Sequence, residues 1–200
     1  MQQLFNLHTH HPLPEGETSI RNCGLHPWHT TADYRRTLAL FLGPLPFPGS
    51  DEPQLLQAIG ECGLDRLCQT PYDLQMSAFK AQIGESEMRR LPMIIHCVKA
   101  FDDIIALHAT ATQPWVIHGF RGKPQQLQQL TAQGFYISFG IKHNSESLAQ
   151  CPAERLFLET DDEKTAIVPL YERAAATRNT DVETLATQIW SNARAIFDNL

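Results

Sequence analysis

The sequence has no apolar run long enough to cross a membrane. Its longest apolar stretches, Leu38–Leu42 and Pro92–Val98, are far shorter than the roughly 20 residues that a transmembrane helix needs. The first residues contain neither the basic segment nor the apolar segment of an export signal. We therefore expect a cytoplasmic protein that does not associate with membranes.

The chain is also poor in cysteine and in positive charge. Its five cysteines form an odd set without any Cys-x-x-Cys spacing, which argues against a disulfide framework or a zinc ribbon. The net charge of −6 and the isoelectric point near 5.8 exclude a broadly basic surface of the kind that coats nucleic acid. Neither the glycine-rich dinucleotide-binding motif nor the P-loop motif is present.

The chain does contain short apolar segments that alternate with longer amphipathic ones. The apolar segments predict strands at residues 3–7, 19–24, 56–62, 92–97, 114–119, 134–140 and 155–160. The amphipathic segments predict helices at residues 31–42, 72–91, 101–111, 123–133, 164–178 and 181–199, with a proline-rich loop at 43–53. This order is typical of parallel strand–helix–strand units, so we predict one α/β domain over residues 1–200. A closed barrel and an open doubly wound sheet both fit the pattern.

Side chains that can bind metal recur where the predicted strands end. His8 and His10 lie two positions apart at the end of the first strand, so both imidazoles can face the same side. Four later strands each deliver one further candidate ligand, namely Glu61, His96, His118 and Asp161. In a parallel barrel these strand ends form the rim where active sites gather. Imidazoles and carboxylates without a thiolate suit divalent Zn, Mn, Mg or Ni.

The motifs that contain these residues follow the order found in the TatD-type metal-dependent hydrolases, which the chain resembles nearly end to end. The matching motifs are His8-Thr9-His10, Gly24–Pro27, Ile59–Asp65, Pro92–His96, His118–Gly122, Glu159-Thr160-Asp161 and Asn192–Phe197. Members of this family are TIM-barrel relatives of the amidohydrolases, and several are metal-dependent deoxyribonucleases. The resemblance implies a TIM-barrel-like (β/α) barrel and a hydrolase that acts on phosphodiester bonds.

The resemblance also implies which residues hold metal. His8 and His10 would hold one divalent ion. His96 and His118 would hold a second, and Glu61 would bridge the two. Two ions close together activate water and neutralise the charge that develops on a phosphoryl oxygen.

Catalytic and substrate-binding roles follow from the same resemblance. Asp161 would bind the first ion and orient or deprotonate the attacking water, which makes Asp161 and Glu61 the expected catalytic residues. His26, in the Gly-Leu-His-Pro turn, resembles a histidine that contacts substrate. The arginine that the family carries two positions after the strand-end histidine is a valine here. We therefore expect Arg121 and Lys99 to supply the phosphate contacts.

The chain is shorter than the family pattern at its beginning. Only 15 residues separate His10 from His26, where the family places a helix, a strand and another helix. We therefore predict a compacted barrel of seven strands with one βα unit missing, in which Pro12–Thr18 crosses the gap as a loop. Asn6 replaces a family aspartate, so it can orient a neighbour by hydrogen bonding but adds no charge.

The residues alone leave three functions open. The first is a binuclear phosphoester hydrolase that acts on DNA ends or on another small phosphorylated substrate. The second is an amidohydrolase-like esterase or lactonase that uses the same ions on a carbonyl group. The third is a non-catalytic descendant that binds metal. The complete ligand set favours an enzyme, and the oligomeric state stays open between a monomer and a weak dimer.

Overall fold

The structure is a computed structural model, and it describes residues 3–43, 56–197 and 200. The strands in this part of the chain are β1 (Leu4–Phe5), β2 (Glu17–Thr18), β3 (Asn22–Cys23), β4 (Ala58–Asp65), β5 (Met93–Val98), β6 (Trp115–Ile117), β7 (Tyr136–Phe139) and β8 (Leu156–Leu158). The α-helices are α1 (Tyr34–Leu42), α2 (Tyr72–Arg89), α3 (Phe101–His108), α4 (Pro124–Ala132), α5 (Ser145–Gln150), α6 (Val168–Thr177) and α7 (Val182–Ile196). None of the helices described is both long enough and apolar enough to cross a bilayer.

The predicted strands are confirmed with shifted ends, and the one predicted at residues 19–24 is observed as β3, which pairs with β4. The loop predicted for Pro12–Thr18 is corrected, because its last two residues form β2, which pairs with β1. The described residues therefore contain eight strands instead of the seven predicted. Residues 3–23 contain no helix, so the shortening predicted in this region concerns helices and not a strand.

The predicted helices are confirmed, although most are shorter than expected. The sequence analysis missed α5, a six-residue helix whose start is capped by the Asn144 side chain accepting the Ser147 N–H at 2.9 Å. Apart from Gly43, the proline-rich loop predicted for residues 43–53 lies outside the described residues.

The chain divides into two units, and the terminal unit consists of Met1–Ile20 and Val116–Leu200. Within it, the end of β6 pairs in parallel with β7, and β7 pairs in parallel with β8. The Leu7 N–H donates to the Leu158 carbonyl at 2.9 Å, which joins the chain after β1 to β8. The segment after β1 and the strand β8, which are far apart in the sequence, are therefore joined in the same unit.

The core of the terminal unit forms around Phe5. The Phe5 ring lies 5.9 Å from the Phe157 ring, 5.3 Å from the Trp190 ring and 6.2 Å from the Phe197 ring, measured between centroids. The buried Tyr171 hydroxyl donates to the Phe5 carbonyl at 2.8 Å. Burial of large aromatic side chains contributes most to cores of this kind. These contacts fix β1, and with β1 the direction of the chain that follows it.

The central unit consists of Arg21–Trp115. Its strands β3, β4 and β5 are parallel and adjacent in that order. The Met93 N–H donates to the Pro114 carbonyl at 2.9 Å, immediately before β6 begins. Helix α2 covers the sheet with Phe79, whose fully buried ring meets the Trp115 ring edge to face at 5.5 Å.

Two buried glutamines on α2 bind the main chain beside the ends of the strands. The Gln82 amide accepts the Leu25 N–H at 2.7 Å and donates to the Leu25 carbonyl at 3.1 Å. The Gln75 amide accepts the Asp65 N–H at 2.8 Å and donates to the Asp65 carbonyl at 3.0 Å. Buried polar groups cost free energy unless they are paired, and here each amide satisfies both main-chain groups of one residue. The helix thereby fixes the two segments that carry the central unit's functional side chains.

Glycine at position 63 is required by the close approach of β4 to β5. Gly63 has φ +144°, and a Cβ atom added there would lie 2.0 Å from the His96 carbonyl oxygen. Residues other than glycine rarely adopt that backbone conformation. Position 63 thus admits no side chain without a shift of the strand that carries His96.

We expect Gly63→Ala to lower the free energy of unfolding by at least about 2 kcal/mol, because it combines backbone strain with a clash against main chain. Gly84→Ala is the matched control, since an added methyl there meets no atom within 4 Å and the position lies inside α2. That control should stabilise the protein by about 0.5–1 kcal/mol. Urea unfolding curves of both variants measure the difference. Equal free energies of unfolding for the two variants would contradict the close approach of β4 to β5.

Candidate metal-binding clusters

The chain after β1 brings two histidines together. The Nε2 atoms of His8 and His10 lie 3.3 Å apart, with His8 buried and the His10 side chain 48% exposed. Thr9 lies between them and forms a parallel bridge with Asp161. In extended chain, residues two apart point to the same side, which explains how the two imidazoles converge.

Asp161 is held beside this pair by its own main chain. Its N–H donates to the His8 carbonyl, and its carbonyl accepts the His10 N–H, both at 3.0 Å. Its φ of +54° lies in the left-handed region, which aspartate tolerates better than most side chains. Its Oδ1 lies 3.6 Å from His10 Nε2. The two histidines and Asp161 each present one ligand atom within 4.8 Å of the others.

A buried carboxylate that the sequence analysis missed lies next to these ligands. Glu159 is 0% exposed, and its Oε1 accepts the Gly119 N–H at 2.5 Å. The same oxygen lies 3.2 Å from His118 Nδ1, while Oε2 accepts the Ser138 hydroxyl at 2.6 Å. His118, Glu159 and Asp161 also present ligand atoms within 4.8 Å of one another. We call His8, His10, His118, Glu159 and Asp161 the terminal cluster.

The surroundings of Glu159 favour its ionised form. Burial alone would raise the pKa of this carboxyl, but the His118 and His8 imidazoles and the Ser138 hydroxyl outweigh burial and lower the pKa. A buried negative charge among imidazoles suits a cation. A sequence signal for Glu159 existed, because a charged residue directly follows the apolar run Leu156–Leu158 and precedes the aspartate of the same motif by two positions.

The central unit contains a second group of candidate ligands, which we call the central cluster: His26, Glu61 and His96. Glu61 Oε1 lies 2.9 Å from His96 Nδ1 and 3.1 Å from His26 Nε2. The two imidazole rings meet edge to face with centroids 4.4 Å apart. Their ligand atoms and the Glu61 oxygen lie within 4.8 Å of one another. His26, predicted from the sequence to contact substrate, is thus placed among the candidate ligands.

Asp65 is a buried carboxylate that contacts the central cluster. The residue is 3% exposed, and its Oδ2 accepts the Trp28 indole N–H at 2.6 Å and lies 3.4 Å from His96 Nε2. Its Oδ1 accepts the Leu67 N–H at 2.7 Å. Burial would raise the pKa of this carboxyl, but the hydrogen bonds from Trp28 and Leu67 and the His96 imidazole lower it. The ionised Asp65 carboxylate therefore orients the His96 ring and anchors the Trp28 ring.

Both clusters have the donor types and spacing of divalent metal sites. Imidazole and carboxylate ligands bind zinc at about 2.0–2.2 Å, so neighbouring ligands of a tetrahedral ion are about 3.4 Å apart. The separations in the terminal cluster are 3.3 Å between His8 and His10 and 3.6 Å between His10 and Asp161. Those around Glu61 in the central cluster are 2.9 and 3.1 Å. The residues present in each unit therefore fit a divalent ion.

The other residues singled out in the sequence lie near the ends of the same strands. Lys99 and Arg121 are both exposed, and their phosphate-binding roles stay predictions. Asn6 is buried and donates to Glu17 Oε2 at 3.2 Å and to Thr160 Oγ1 at 2.9 Å, while its oxygen accepts the Thr160 N–H at 3.1 Å. Asn6 thus positions the Glu-Thr-Asp motif by hydrogen bonding, as expected of an uncharged residue there.

The family model for TatD related DNase matches residues 15–198. The chain belongs to this family. A curated relative, the 3'-5' ssDNA/RNA exonuclease TatD of Pantoea sp. (strain At-9b), is 31% identical over 215 residues, which cover 87% of this chain and 76% of the relative. A protein of the same name from Klebsiella pneumoniae (strain 342) is 33% identical over 195 residues, with coverages of 84% and 70%.

A further relative shows that this TatD family member is shortened. The 3'-5' ssDNA/RNA exonuclease TatD of Erwinia tasmaniensis is 29% identical over 233 residues, with coverages of 98% of this chain and 83% of the relative. That span exceeds the 200 residues of this chain, so the relative contains segments that this chain lacks. The 98% coverage also includes His8-Thr9-His10, which precedes the range matched by the family model.

Solved structures of TatD proteins show the same fold. The TatD homolog YJJV from Escherichia coli k12 aligns with a TM-score of 0.72 at 19% identity, covering 94% of this chain and 79% of that protein. A hydrolase TatD family protein from Entamoeba histolytica aligns with a TM-score of 0.73 at 20% identity, with coverages of 92% and 76%. The TIM-barrel-like α/β fold and the TatD-type hydrolase class predicted from the sequence are confirmed. The sharing of one ion by His96 and His118 and the bridging by Glu61 stay predictions.

Proposed function

We propose that this TatD family member is a divalent-metal-dependent nuclease that cleaves the phosphodiester bond at the end of a single nucleic-acid strand. The observation that carries the proposal is the presence, in each unit, of imidazole and carboxylate donors within 4.8 Å of one another, placed within or after parallel strands. The names of the Pantoea and Klebsiella relatives, which describe a 3'-5' exonuclease on single-stranded DNA and RNA, support the choice of substrate.

We assign one divalent ion to each cluster. His8, His10 and Asp161 would hold the first, and the central cluster would hold the second, with Zn, Mn, Mg or Ni as the candidates. When bound, such ions lower the pKa of water and neutralise charge on the phosphoryl group.

The protein's own groups then orient the reactants and move the proton. Asp161, next to the histidine pair, would accept the proton of the attacking water. Glu61 would hold the imidazoles of His26 and His96 in place. Glu159 lies 3.2 Å from Nδ1 of His118 and would hold that imidazole in position.

Phosphate binding is assigned to Arg121 and Lys99. A guanidinium can contact a phosphate through two parallel hydrogen bonds, and an ammonium adds positive charge without that geometry. In this proposal the 200 residues act as one catalytic domain, as a monomer or a weak dimer, in the cytoplasm.

Metal content and hydrolysis test the proposal together. We expect protein reconstituted with manganese or zinc to bind close to two equivalents, and His8→Ala/His10→Ala to bind about one fewer, because the double variant removes two donors from one cluster. Elemental analysis measures the ions, and release of nucleotides from a single-stranded oligonucleotide measures activity. His108→Ala is the matched control, since His108 lies in α3 and in neither cluster.

Two results would overturn this proposal. One is a metal content of zero after reconstitution with either ion. The other is hydrolysis of carbonyl esters or lactones by metal-loaded protein that leaves single-stranded DNA, RNA and bis-p-nitrophenyl phosphate intact, which would favour the esterase alternative.

A further inference from the structure

Beside the central cluster, one large aromatic side chain faces solvent. Trp28 is 57% exposed, whereas Trp115 is 0% and Trp190 is 9% exposed. The exposed part of this ring leaves a large apolar area in contact with water, which a ligand packed on it would cover.

Trp28 is held in place rather than loosely attached. Its indole N–H donates to Asp65 Oδ2 at 2.6 Å, and its carbonyl accepts the Thr70 hydroxyl at 3.5 Å. Its ring meets the His26 ring at right angles, with centroids 4.9 Å apart. Because Asp65 is buried and is itself held by the Leu67 N–H, the indole has a fixed acceptor. A ring that is already immobile loses little entropy when a ligand packs on it.

The exposed ring is also close to candidate metal ligands. The Trp28 and His96 rings lie 5.9 Å apart between centroids. The His26 ring contacts the Trp28 ring, and its Nε2 lies 3.1 Å from Glu61 Oε1. A group packed on the free part of the indole would therefore be a neighbour of whatever the central cluster binds. In a nucleotide, a single sugar connects the flat base to the phosphate, so base and phosphate can occupy these two places together.

We propose that Trp28 is a stacking surface for an unpaired nucleobase of the substrate, and that it gives the enzyme its preference for single strands. This inference rests on the proposed function, because it takes a phosphodiester as the group at the cluster. Base–aromatic stacking tolerates every base, since each base has a π face, and it requires a base that is not stacked in a duplex. The Trp28 ring would therefore favour single-stranded over double-stranded substrates without discriminating between bases.

Two single-stranded substrates that differ only in the presence of the terminal base separate stacking from other effects. We expect Trp28→Ala to lower kcat/KM for a single-stranded oligonucleotide about tenfold to a hundredfold, and to leave kcat/KM unchanged for the same strand carrying an abasic terminal residue. Trp28→Phe, which keeps a ring but loses the N–H donor to Asp65, should fall between. Met88→Ala, which truncates another exposed apolar side chain of the central unit, should match the unaltered protein.

A binding measurement keeps the inference testable even if no hydrolysis is found. Since Trp28 is the exposed tryptophan, we expect an oligothymidylate to quench part of the intrinsic fluorescence, and an abasic strand of equal length and charge to leave it unchanged. The quenching should vanish in Trp28→Phe. Loss of activity in Trp28→Ala that is equal on base-containing and abasic strands, or quenching that is equal for both strands, would overturn the stacking role.

Discussion

Asp161→Asn should lower turnover by roughly a hundredfold or more while leaving the fold intact. This is the scale of a lost general base, and asparagine removes the charge and the proton acceptor while keeping the size of the side chain. Asparagine also tolerates the left-handed backbone found at this position, where φ is +54°. The main-chain hydrogen bonds to His8 and His10 are therefore expected to survive the substitution.

The measurement is single-turnover hydrolysis of an oligonucleotide, together with metal content and thermal unfolding of the same preparation. Asp102→Asn provides a control of identical chemistry, because Asp102 lies exposed in the first turn of α3. Turnover close to that of the unaltered protein, with both ions present, would remove Asp161 from the role of proton acceptor. A loss of turnover that accompanies a loss of metal would instead make Asp161 a ligand only.

The second large effect is on stability, and it concerns Glu159. We expect Glu159→Ala to lower the free energy of unfolding by about 3–5 kcal/mol, because the Ser138 hydroxyl and the Gly119 N–H lose their acceptor inside the protein. For a chain of 200 residues, this corresponds to a fall in Tm on the order of 10 °C. Glu159→Gln retains acceptor oxygen and volume, so its loss should be smaller.

These unfolding measurements are made on metal-free protein, so that a change in metal affinity does not enter the result. The control is Glu163→Ala, which removes a surface ion pair of 3.0 Å with Lys142 and should change stability by less than about 1 kcal/mol. If Glu159→Ala unfolds within about 1 kcal/mol of the unaltered protein, the buried carboxylate does not carry the hydrogen-bond network assigned to it.

The parts of the fold that could be predicted are those where a long pattern and a local signal agree. The apolar runs that form β4 and β5 each lead into a residue able to bind metal, Glu61 and His96, so the strands could be predicted and a role for them proposed. Both strands extend beyond that residue in the structure. Strands β2 and β3 have two residues each, too few to show a period, and their pairing depends on neighbours distant in the chain. Helix α5 has six residues with a single buried apolar side chain, Leu148, and gives no amphipathic pattern.

The candidate ligands show the same division. His8, His10, His96 and His118 were predicted because histidine at the end of an apolar strand is unusual and its chemistry is specific. Glu159 was missed because its function depends on burial, and burial of a carboxylate is decided by partners such as Ser138, which nothing in the local sequence connects to it. His26 was assigned to substrate because its distance from Glu61 exists only in the folded chain.

The order of ribosomal synthesis bears on the terminal cluster. Asn6 and Thr160 are hydrogen-bonded although they lie 154 positions apart, and Thr9 pairs with Asp161 in the same place. The two histidines after β1 therefore leave the ribosome long before the carboxylates that complete their cluster have been translated. Pairing over such a separation carries a large loop-closure entropy and forms slowly. A nascent chain consequently exposes an incomplete histidine pair until nearly the whole polypeptide has been made, so an ion held as proposed would bind late in biogenesis.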